Sequence, residues 1–290
     1  MHAAIFVRPF DELARDFERQ HPEYAVRLDP GGSVGLVRKL ADLGMQADVL
    51  AVADASLVDR MLWPQHASWT IDFATAEIVL AHKDHSRFTD EITADNWAEI
   101  LLRPDVRLGR TTPETSPLGY YTLLAFQLAE QSGRYRALGP DLARRLATAS
   151  RKEHIVPDET ELWSLLEARA VDYAVVFRST AESHRLKITA LPREMNLAHP
   201  ELASQYSRAS VDVKAGGRSI RVQGAPIVCG LTIPTKAPNP RGAEEFVALL
   251  LGDAGRRVLA RHGLLPLSPA RAAPAAALPP TLRSLTVPRP

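Results

Sequence analysis

The first 54 residues alternate short apolar runs with amphipathic stretches, and this alternation constrains the fold more than any other feature. The apolar runs predict three strands, at 2–7, 24–29 and 47–54. A helix that opens at Pro9 would carry an apolar stripe from Phe10 to Phe17, and Ser33 is placed to cap a second helix. The order β-α-β-α-β predicts a doubly wound sheet with parallel strands covered on both faces.

Two further extended segments, 69–83 and 224–234, are long enough to carry the chain from one lobe to another and back. Between them the pattern predicts helices at 97–103, 117–130, 140–150 and 157–170 and strands at 106–111 and 171–179. A helix pair follows at 239–263. We therefore predict an α/β protein with two doubly wound sheets joined by a hinge. Lobe 1 would comprise 1–74 and 225–269, lobe 2 would comprise 75–224, and the Pro- and Ala-rich stretch 270–290 would be a disordered tail.

Charge and composition argue against several classes of function. The 35 basic and 34 acidic residues give a net charge of +1, which is not the basic excess of a nucleic-acid-binding protein. Cys229 lies alone in an apolar run and is expected to be a buried thiol. The nine histidines lack metal-ligand spacing, so we predict neither a metal site nor a cofactor.

Catalysis and membrane insertion find no support in the sequence either. The motifs G-x-S-x-G, P-loop, H-E-x-x-H and G-x-G-x-x-G are absent, and we predict a protein that is not an enzyme. No apolar stretch reaches the roughly 20 residues of a membrane span. The opening MHAAIFVRPF has no recognisable signal peptide.

Six segments occur in a fixed order along the chain: HAAIFVRPFDELARDFERQHP, GGSVGLVRKLADLGMQADVLAVAD, WTIDFATAEIVLAHKDHSRFTDEITADNWAEIL, SPLGYYTLL, VDYAVVFRSTAESHRL and GAPIVCGLTIPTKAPNPRGAEEFVALLLGDAGRRVLARHGLLPLSP. Together they resemble the archaeal-type molybdate/tungstate-binding proteins of ABC importers, over about residues 2–268. The resemblance implies the type II-like, two-lobed periplasmic-binding-protein fold and a monomer that meets an ABC permease in the membrane. It also implies an extracytoplasmic location, periplasmic or lipid-anchored, although no signal peptide is visible.

The resemblance also implies a binding site for a tetrahedral dianion between the lobes, built from serine hydroxyls and helix N-terminal amides. The positions that match the family's ligand contacts are Ser33, Ser116, Gly119, Ile5, Val176 and Phe177. Ser33 keeps a contacting serine, whereas Ile5 stands where the family has another. The two carboxylates that coordinate the metal in the family fall on Ser116 and Val176, and a tyrosine falls on Phe177.

Two functional interpretations follow from these substitutions. In the first, the protein binds tungstate, molybdate or another small anion in a tetrahedral mode, through Ser33, Ser116 and backbone amides that include those of Gly119 and Val176. In the second, an apolar cleft has diverged toward a different ligand, in a binding protein or a cytosolic sensor. Each serine also has a simpler interpretation as a helix N-cap. Arg8 and Arg178 have one as members of ion pairs. Asp158 and Glu159 would complement a helix dipole, and their charges would repel an anion.

Overall fold

The computed structural model describes residues 1–215 and 218–289. The chain forms two compact units, one from Met1–Ala76 and Val228–Pro290 and the other from Glu77–Ile227. The chain passes between the units twice, after Ala76 and after Ile227, where the sequence analysis placed the boundaries after residues 74 and 224. Each unit contains its own sheet with helices packed against it, and the mixed α/β architecture is confirmed.

In chain order the strands are β1 (His2–Ala3), β2 (Pro30–Gly31), β3 (Leu50–Val52), β4 (Thr70–Ala76), β5 (Ile78–His82), β6 (Leu108–Thr111), β7 (Ile155–Val156), β8 (Tyr173–Phe177), β9 (Lys187–Ala190), β10 (Ser210–Ala215), β11 (Arg218–Gln223), β12 (Ile227–Thr232), β13 (Leu265–Ala273) and β14 (Thr286–Pro288). The α-helices are α1 (Val7–Gln20), α2 (Ser33–Ala41), α3 (Ser56–Met61), α4 (Trp97–Leu101), α5 (Pro117–Gln131), α6 (Leu142–Ala149), α7 (Glu159–Glu167), α8 (Arg178–Ser183), α9 (Ala203–Tyr206), α10 (Pro240–Leu251), α11 (Asp253–Arg261) and α12 (Pro280–Arg283). Short 3-10 helices occupy Ala4–Phe6, Arg136–Leu138, Lys152–His154, Pro200–Leu202 and Ala275–Ala277.

The first unit is built on a seven-stranded sheet with the order β14-β13-β4-β12-β3-β1-β2. Strand β1 is parallel to both β2 and β3, while β12 is antiparallel to β3 and β13 is antiparallel to β4. Helix α1 buries Phe10, Leu13 and Phe17, as its apolar spacing predicts. Helices α1, α2 and α3 follow β1, β2 and β3, so their N-termini lie at the carboxyl edge of the parallel strands.

The second unit is built on a five-stranded sheet with the order β7-β6-β8-β5-β9. Strand β6 is parallel to β7 and β8, and β5 is antiparallel to β8 and β9. Helices α5, α7 and α8 follow β6, β7 and β8, which again places helix N-termini at the carboxyl edge of parallel strands. Strands β10 and β11 of this unit pair antiparallel in a separate two-stranded sheet.

Several local predictions near the N-terminal end of the chain are wrong in detail. Strand β1 ends at Ala3, and α1 begins at Val7, two residues before Pro9, because a 3-10 turn connects them. Within the described residues, 24–29 joins no ladder, and β2 follows it at Pro30–Gly31. Ser33 is the first residue of α2, and Gly32 is its N-cap.

The stretch predicted as a disordered tail forms β13, α12 and β14, and residue 290 alone of it lies outside the described residues. Strand β13 pairs with β4 on both sides of an irregularity between Pro266 and Arg271, where the register shifts. Strand β14 pairs with β13. Ala270 and Ala272 are buried in this arrangement. Leu278 and Leu282 are buried as well, but they stand apart in a Pro- and Ala-rich sequence, so no periodic apolar pattern marks these elements.

Candidate functional site

Ser33 lies at the carboxyl edge of the first unit's parallel strands, where β2 leads into α2. The residue is 1% exposed, and its Oγ accepts the backbone N–H of Ala53, which follows β3, at 3.0 Å. Because Ser33 is the first helical residue rather than the cap, its hydroxyl does not serve the role of an N-cap. A hydroxyl whose oxygen already accepts a hydrogen bond keeps its proton to donate, so Ser33 offers one donor beside a helix N-terminus.

Ile5 lies in the 3-10 turn between β1 and α1, and its side chain is buried in the core of the first unit. It therefore contributes only backbone atoms to the strand edge, as its side-chain chemistry predicts.

Ser116 is the N-cap of α5 in the second unit, with Pro117 at the first helical position, and this element start is confirmed. Its backbone is extended (φ −134°, ψ 130°), yet its hydroxyl forms no capping hydrogen bond. The side chain is also largely shielded, since Ser116 is 5% exposed. The N-terminus of α5 therefore holds a hydroxyl that its own helix does not use.

Gly119 has a structural role that differs from the ligand-donor role predicted for its amide. Its N–H donates to the carbonyl oxygen of Ser116 at 3.0 Å and is therefore already engaged in the helix. A Cβ at this position would lie 2.5 Å from backbone atoms of Thr112 and Pro113. Glycine is needed here because the loop after β6 passes directly over the helix.

Val176 and Phe177 form the end of β8 and bring no polar side chain to this edge. Val176 is fully buried opposite Val79 of β5. Phe177 caps α8, and its ring meets that of Tyr121 edge to face with centroids 6.4 Å apart. The backbone N–H of Phe177 donates to Oε1 of Glu159 at 2.7 Å, so this amide has a carboxyl partner within the unit.

Glu159 is the feature of this edge that the sequence analysis misjudged. Asp158 caps α7, as expected, by accepting the N–H groups of Thr160 and Glu161. Glu159, however, is 3% exposed rather than solvated, and burial raises the pKa of its carboxyl to about 8. Below this pKa the carboxyl group is mainly protonated and neutral, so the expected repulsion of an anion by Glu159 is reduced at pH 7.

Three buried polar atoms at this edge have no hydrogen-bond partner among the residues that the structure describes: Glu159 Oε2, Thr111 Oγ1 and Ser179 Oγ. Glu159 follows β7, Thr111 ends β6 and Ser179 follows β8. These three strands are neighbours in the sheet. Buried polar groups are usually paired. No sequence pattern predicts this clustering, because it depends on which strands lie side by side.

Arg178 does not supply a free cation to the strand edge of the second unit. The guanidinium group of Arg178 pairs with Glu77 and lies 3.7 Å from Glu182. Asn196 also donates to Glu77, which places Arg178 in a local network of the second unit. Arg8 is exposed on the first turn of α1. The ion-pair interpretation therefore holds for Arg178.

Comparisons with known proteins show the family to which this chain belongs. A family model described as bacterial extracellular solute-binding protein matches residues 1–265. The chain belongs to this family. An uncharacterized solute-binding protein of Petrotoga mobilis is 37% identical over 270 residues, which cover 92% of this chain and 83% of that protein. The molybdate/tungstate-binding protein WtpA of Pyrococcus abyssi is 33% identical over 279 residues, covering 89% and 80% of the two chains.

Solved structures establish the fold of this solute-binding protein. The periplasmic molybdate-binding protein of Azotobacter vinelandii superposes with a TM-score of 0.63 at 18% identity, covering 91% of this chain and 96% of its own. The sulfate-binding protein SubI of Mycobacterium tuberculosis H37Rv gives 0.65 at 16% identity, covering 99% and 90%. The two-lobed periplasmic-binding-protein fold is confirmed. Among residues 1–215 and 218–289, no helix has the length and apolarity to cross a membrane.

Proposed function

We propose that this solute-binding protein is the substrate-binding component of an ABC importer and captures a tetrahedral oxyanion of the tungstate or molybdate type. The observation that carries the proposal is the position and the hydrogen bonding of two serines. Ser33 and Ser116 each lie at the start of a helix, one in each unit, and neither hydroxyl caps its helix. A relative named for molybdate and tungstate, at 33% identity, supports the same class of ligand.

Physical chemistry favours a dianion at such positions. The N-terminus of a helix carries about half a unit of positive charge and presents backbone N–H groups that have no partner inside the helix. An oxyanion placed there is stabilised without a buried cation. The protonated state of Glu159 at neutral pH removes a like charge from the second unit's edge, and this helps an anion rather than a neutral ligand.

The binding mode that we propose is tetrahedral, with no carboxylate bound to the metal atom of the oxyanion. The matched positions carry Ser116 and Val176, and the side chain of Val176 is buried in the sheet. The oxyanion would receive hydrogen bonds from donors of both units, among them the hydroxyls of Ser33 and Ser116. The loaded monomer would then meet its permease outside the cytoplasm.

The alternative, a ligand that is not an oxyanion, depends on an apolar cleft formed by Ile5, Val176 and Phe177. These three side chains are at most 3% exposed, and Val176 packs within its own sheet. None of these three side chains can donate a hydrogen bond, whereas Ser33 and Ser116 each carry a hydroxyl at a helix start, and this favours the oxyanion.

A thermal unfolding screen tests the proposal. A ligand at 100 times its Kd stabilises the folded state by about 2.7 kcal/mol, which corresponds to a rise of several degrees in Tm for a chain of this size. We expect tungstate and molybdate to raise Tm. Sulfate and phosphate, which are also tetrahedral oxyanions, are tested as competing ligands. Stabilisation by neutral metabolites with no response to any oxyanion would contradict the proposal.

A further inference from the structure

Three side chains with metal-ligating atoms meet where the end of α1 approaches α10 in the first unit. His21 is the C-cap of α1, Glu23 follows it in the next turn, and Glu245 belongs to α10. One ligand atom from each side chain, a ring nitrogen or a carboxylate oxygen, lies within 4.8 Å of the other two. Because Glu245 is far from the other two along the sequence, the spacing of the histidines does not predict this cluster.

Local structure fixes the position of the imidazole ring. The N–H of Tyr24 donates to the carbonyl oxygen of His21 at 3.0 Å, which closes a tight turn with Pro22 at its second position. The ring of His21 also stacks on that of Phe17, with centroids 4.6 Å apart and an interplanar angle of 29°. The turn and the stacking together hold His21 and Glu23 on the side of α1 that meets α10.

The carboxylate of Glu245 is held in place by one of its two oxygens. Its Oε1 accepts a hydrogen bond from Nε of Arg241, one turn earlier on α10, at 3.1 Å. Its Oε2 is buried and has no hydrogen-bond partner in the part of the chain that the structure describes. This atom lies 3.7 Å from Nδ1 of His21. Since buried polar atoms are usually paired, Oε2 indicates a position where a ligand is expected.

The distances within the cluster fit a shared metal ion better than an ion pair. Nδ1 of His21 lies 3.8 Å from Oε1 of Glu23 and 3.7 Å from Oε2 of Glu245. A charge-assisted N–H···O hydrogen bond is about 2.7–2.9 Å long, and one N–H points at one carboxylate only. Ligand atoms about 2.1 Å from a tetrahedral zinc ion lie about 3.4 Å apart. Both pairs of atoms therefore need to approach by only a few tenths of an ångström, and Glu23, at 61% side-chain exposure, has room to move.

We propose that His21, Glu23 and Glu245 form a binding site for a divalent cation of the zinc class, with water as the fourth ligand. One imidazole nitrogen and two carboxylates suit Zn²⁺, whereas Ca²⁺ and Mg²⁺ prefer oxygen ligands alone. The ion offsets the like charges of the two carboxylates. It also joins the turn after α1 to α10, which come from the two separate chain segments of the first unit, and it stabilises that unit by mass action. The proposal does not depend on the oxyanion site.

Calorimetric titration of ZnCl₂ into the chelator-treated full chain, with no oxyanion present, tests this proposal. We expect one Zn²⁺ per chain and a rise in Tm, with neither effect from CaCl₂ or MgCl₂ at the same concentration. His21→Phe keeps a ring to stack on Phe17 but has no nitrogen, and Glu245→Gln can still accept the hydrogen bond from Arg241 but has no charge. Each should weaken Zn²⁺ binding at least about tenfold, since even a lost outer-shell partner typically costs that much.

His199→Phe is the matched control. The side chain of His199 is 33% exposed, as is that of His21, but it faces Glu201 alone, at 3.3 Å, in the second unit. This variant should bind Zn²⁺ as the parent does. Circular dichroism and Tm without zinc establish that each variant is folded.

Three results would overturn the proposed zinc site. The first is an affinity for Zn²⁺ in either folded site variant that equals that of the parent. The second is saturation of the parent by Ca²⁺ or Mg²⁺ at the concentrations at which Zn²⁺ binds. The third is no saturable binding of Zn²⁺ to the parent up to about 1 mM, which is the weak end of specific affinities.

Discussion

Glu159 illustrates how a single buried carboxyl group sets the charge of a binding edge. Its Oε1 is held by the Phe177 amide at 2.7 Å, and burial raises its pKa from 4.5 to about 8. Between these two values the unfolded chain releases a proton that the folded chain retains. Stability from this group is therefore fully present below pH 4.5 and falls as pH rises toward 8, by up to about 1.4 kcal/mol per pH unit.

Replacing Glu159 by Gln should remove that pH dependence, because the amide has no proton to lose and its oxygen can still accept the Phe177 N–H. We expect Glu159→Gln to gain stability relative to the parent between pH 5 and pH 7, measured by urea unfolding at three pH values. Glu161→Gln, an exposed neighbour on the same helix, is the matched control and should follow the parent. Parallel curves for the parent and Glu159→Gln would contradict the assignment.

At the residue scale, sequence reasoning reached the features that local chemistry determines. Ser116 before Pro117 predicts a helix start because capping and the proline ring act within a few residues. The close backbone approach at Gly119 and the burial of Glu159 involve Thr112 and Phe177, which other elements bring into contact. A single sequence does not contain that information.

At the scale of elements, the last two strands are held to the first unit by a charged cluster. Arg289, which follows β14, donates to Asp59 of α3 at 2.5 Å and to Asp72 of β4 at 2.7 Å. Burial raises the pKa of Asp72 to about 6, and the positive charge of Arg289 opposes that rise. Loss of Arg289 would leave the carboxyl group of Asp72 buried without its cation.

We expect Arg289→Ala to lower the free energy of unfolding by about 2–3 kcal/mol, less than for a fully buried pair because Arg289 is partly exposed. Adding Asp72→Asn should recover part of that loss, since it removes the unpaired charge. Arg241→Ala, which breaks an exposed pair with Glu245, should cost at most about 0.5 kcal/mol. Chemical denaturation of the four proteins checks this. An unchanged stability of Arg289→Ala would favour the disordered tail that composition predicted.

Helices were easier to predict than edge strands for a physical reason. The starts of α7 and α10 are marked by Asp158 and Asn239, whose side chains accept helix amides. Strand β13 has no such local marker, and it exists because β4 offers it a ladder over most of its length. The segment 24–29 is the reverse case, since it has the sequence pattern of a strand but joins no ladder within the described residues.

At the scale of the whole molecule, the two-unit organisation was predictable because the crossings are long, buried strands. Residues 70–76 and 78–82 are buried throughout, as parallel or central strands require. The ligand was not predictable to the same degree, because it depends on a few hydroxyl and amide hydrogens rather than on a pattern. The proposed oxyanion would take donors from both units, so loss of a donor in either unit should weaken binding.

Calorimetric titration of tungstate into the parent protein and three serine variants tests the account most directly. We predict one tungstate per chain and a Kd raised about tenfold or more by Ser33→Ala and by Ser116→Ala, since each lost donor to a charged ligand removes about 1–3 kcal/mol. Ser204→Ala, an exposed serine, should leave the Kd unchanged, and Tm of each variant verifies folding. Tungstate binding that neither substitution weakens, or no binding at all, would contradict the proposed oxyanion site.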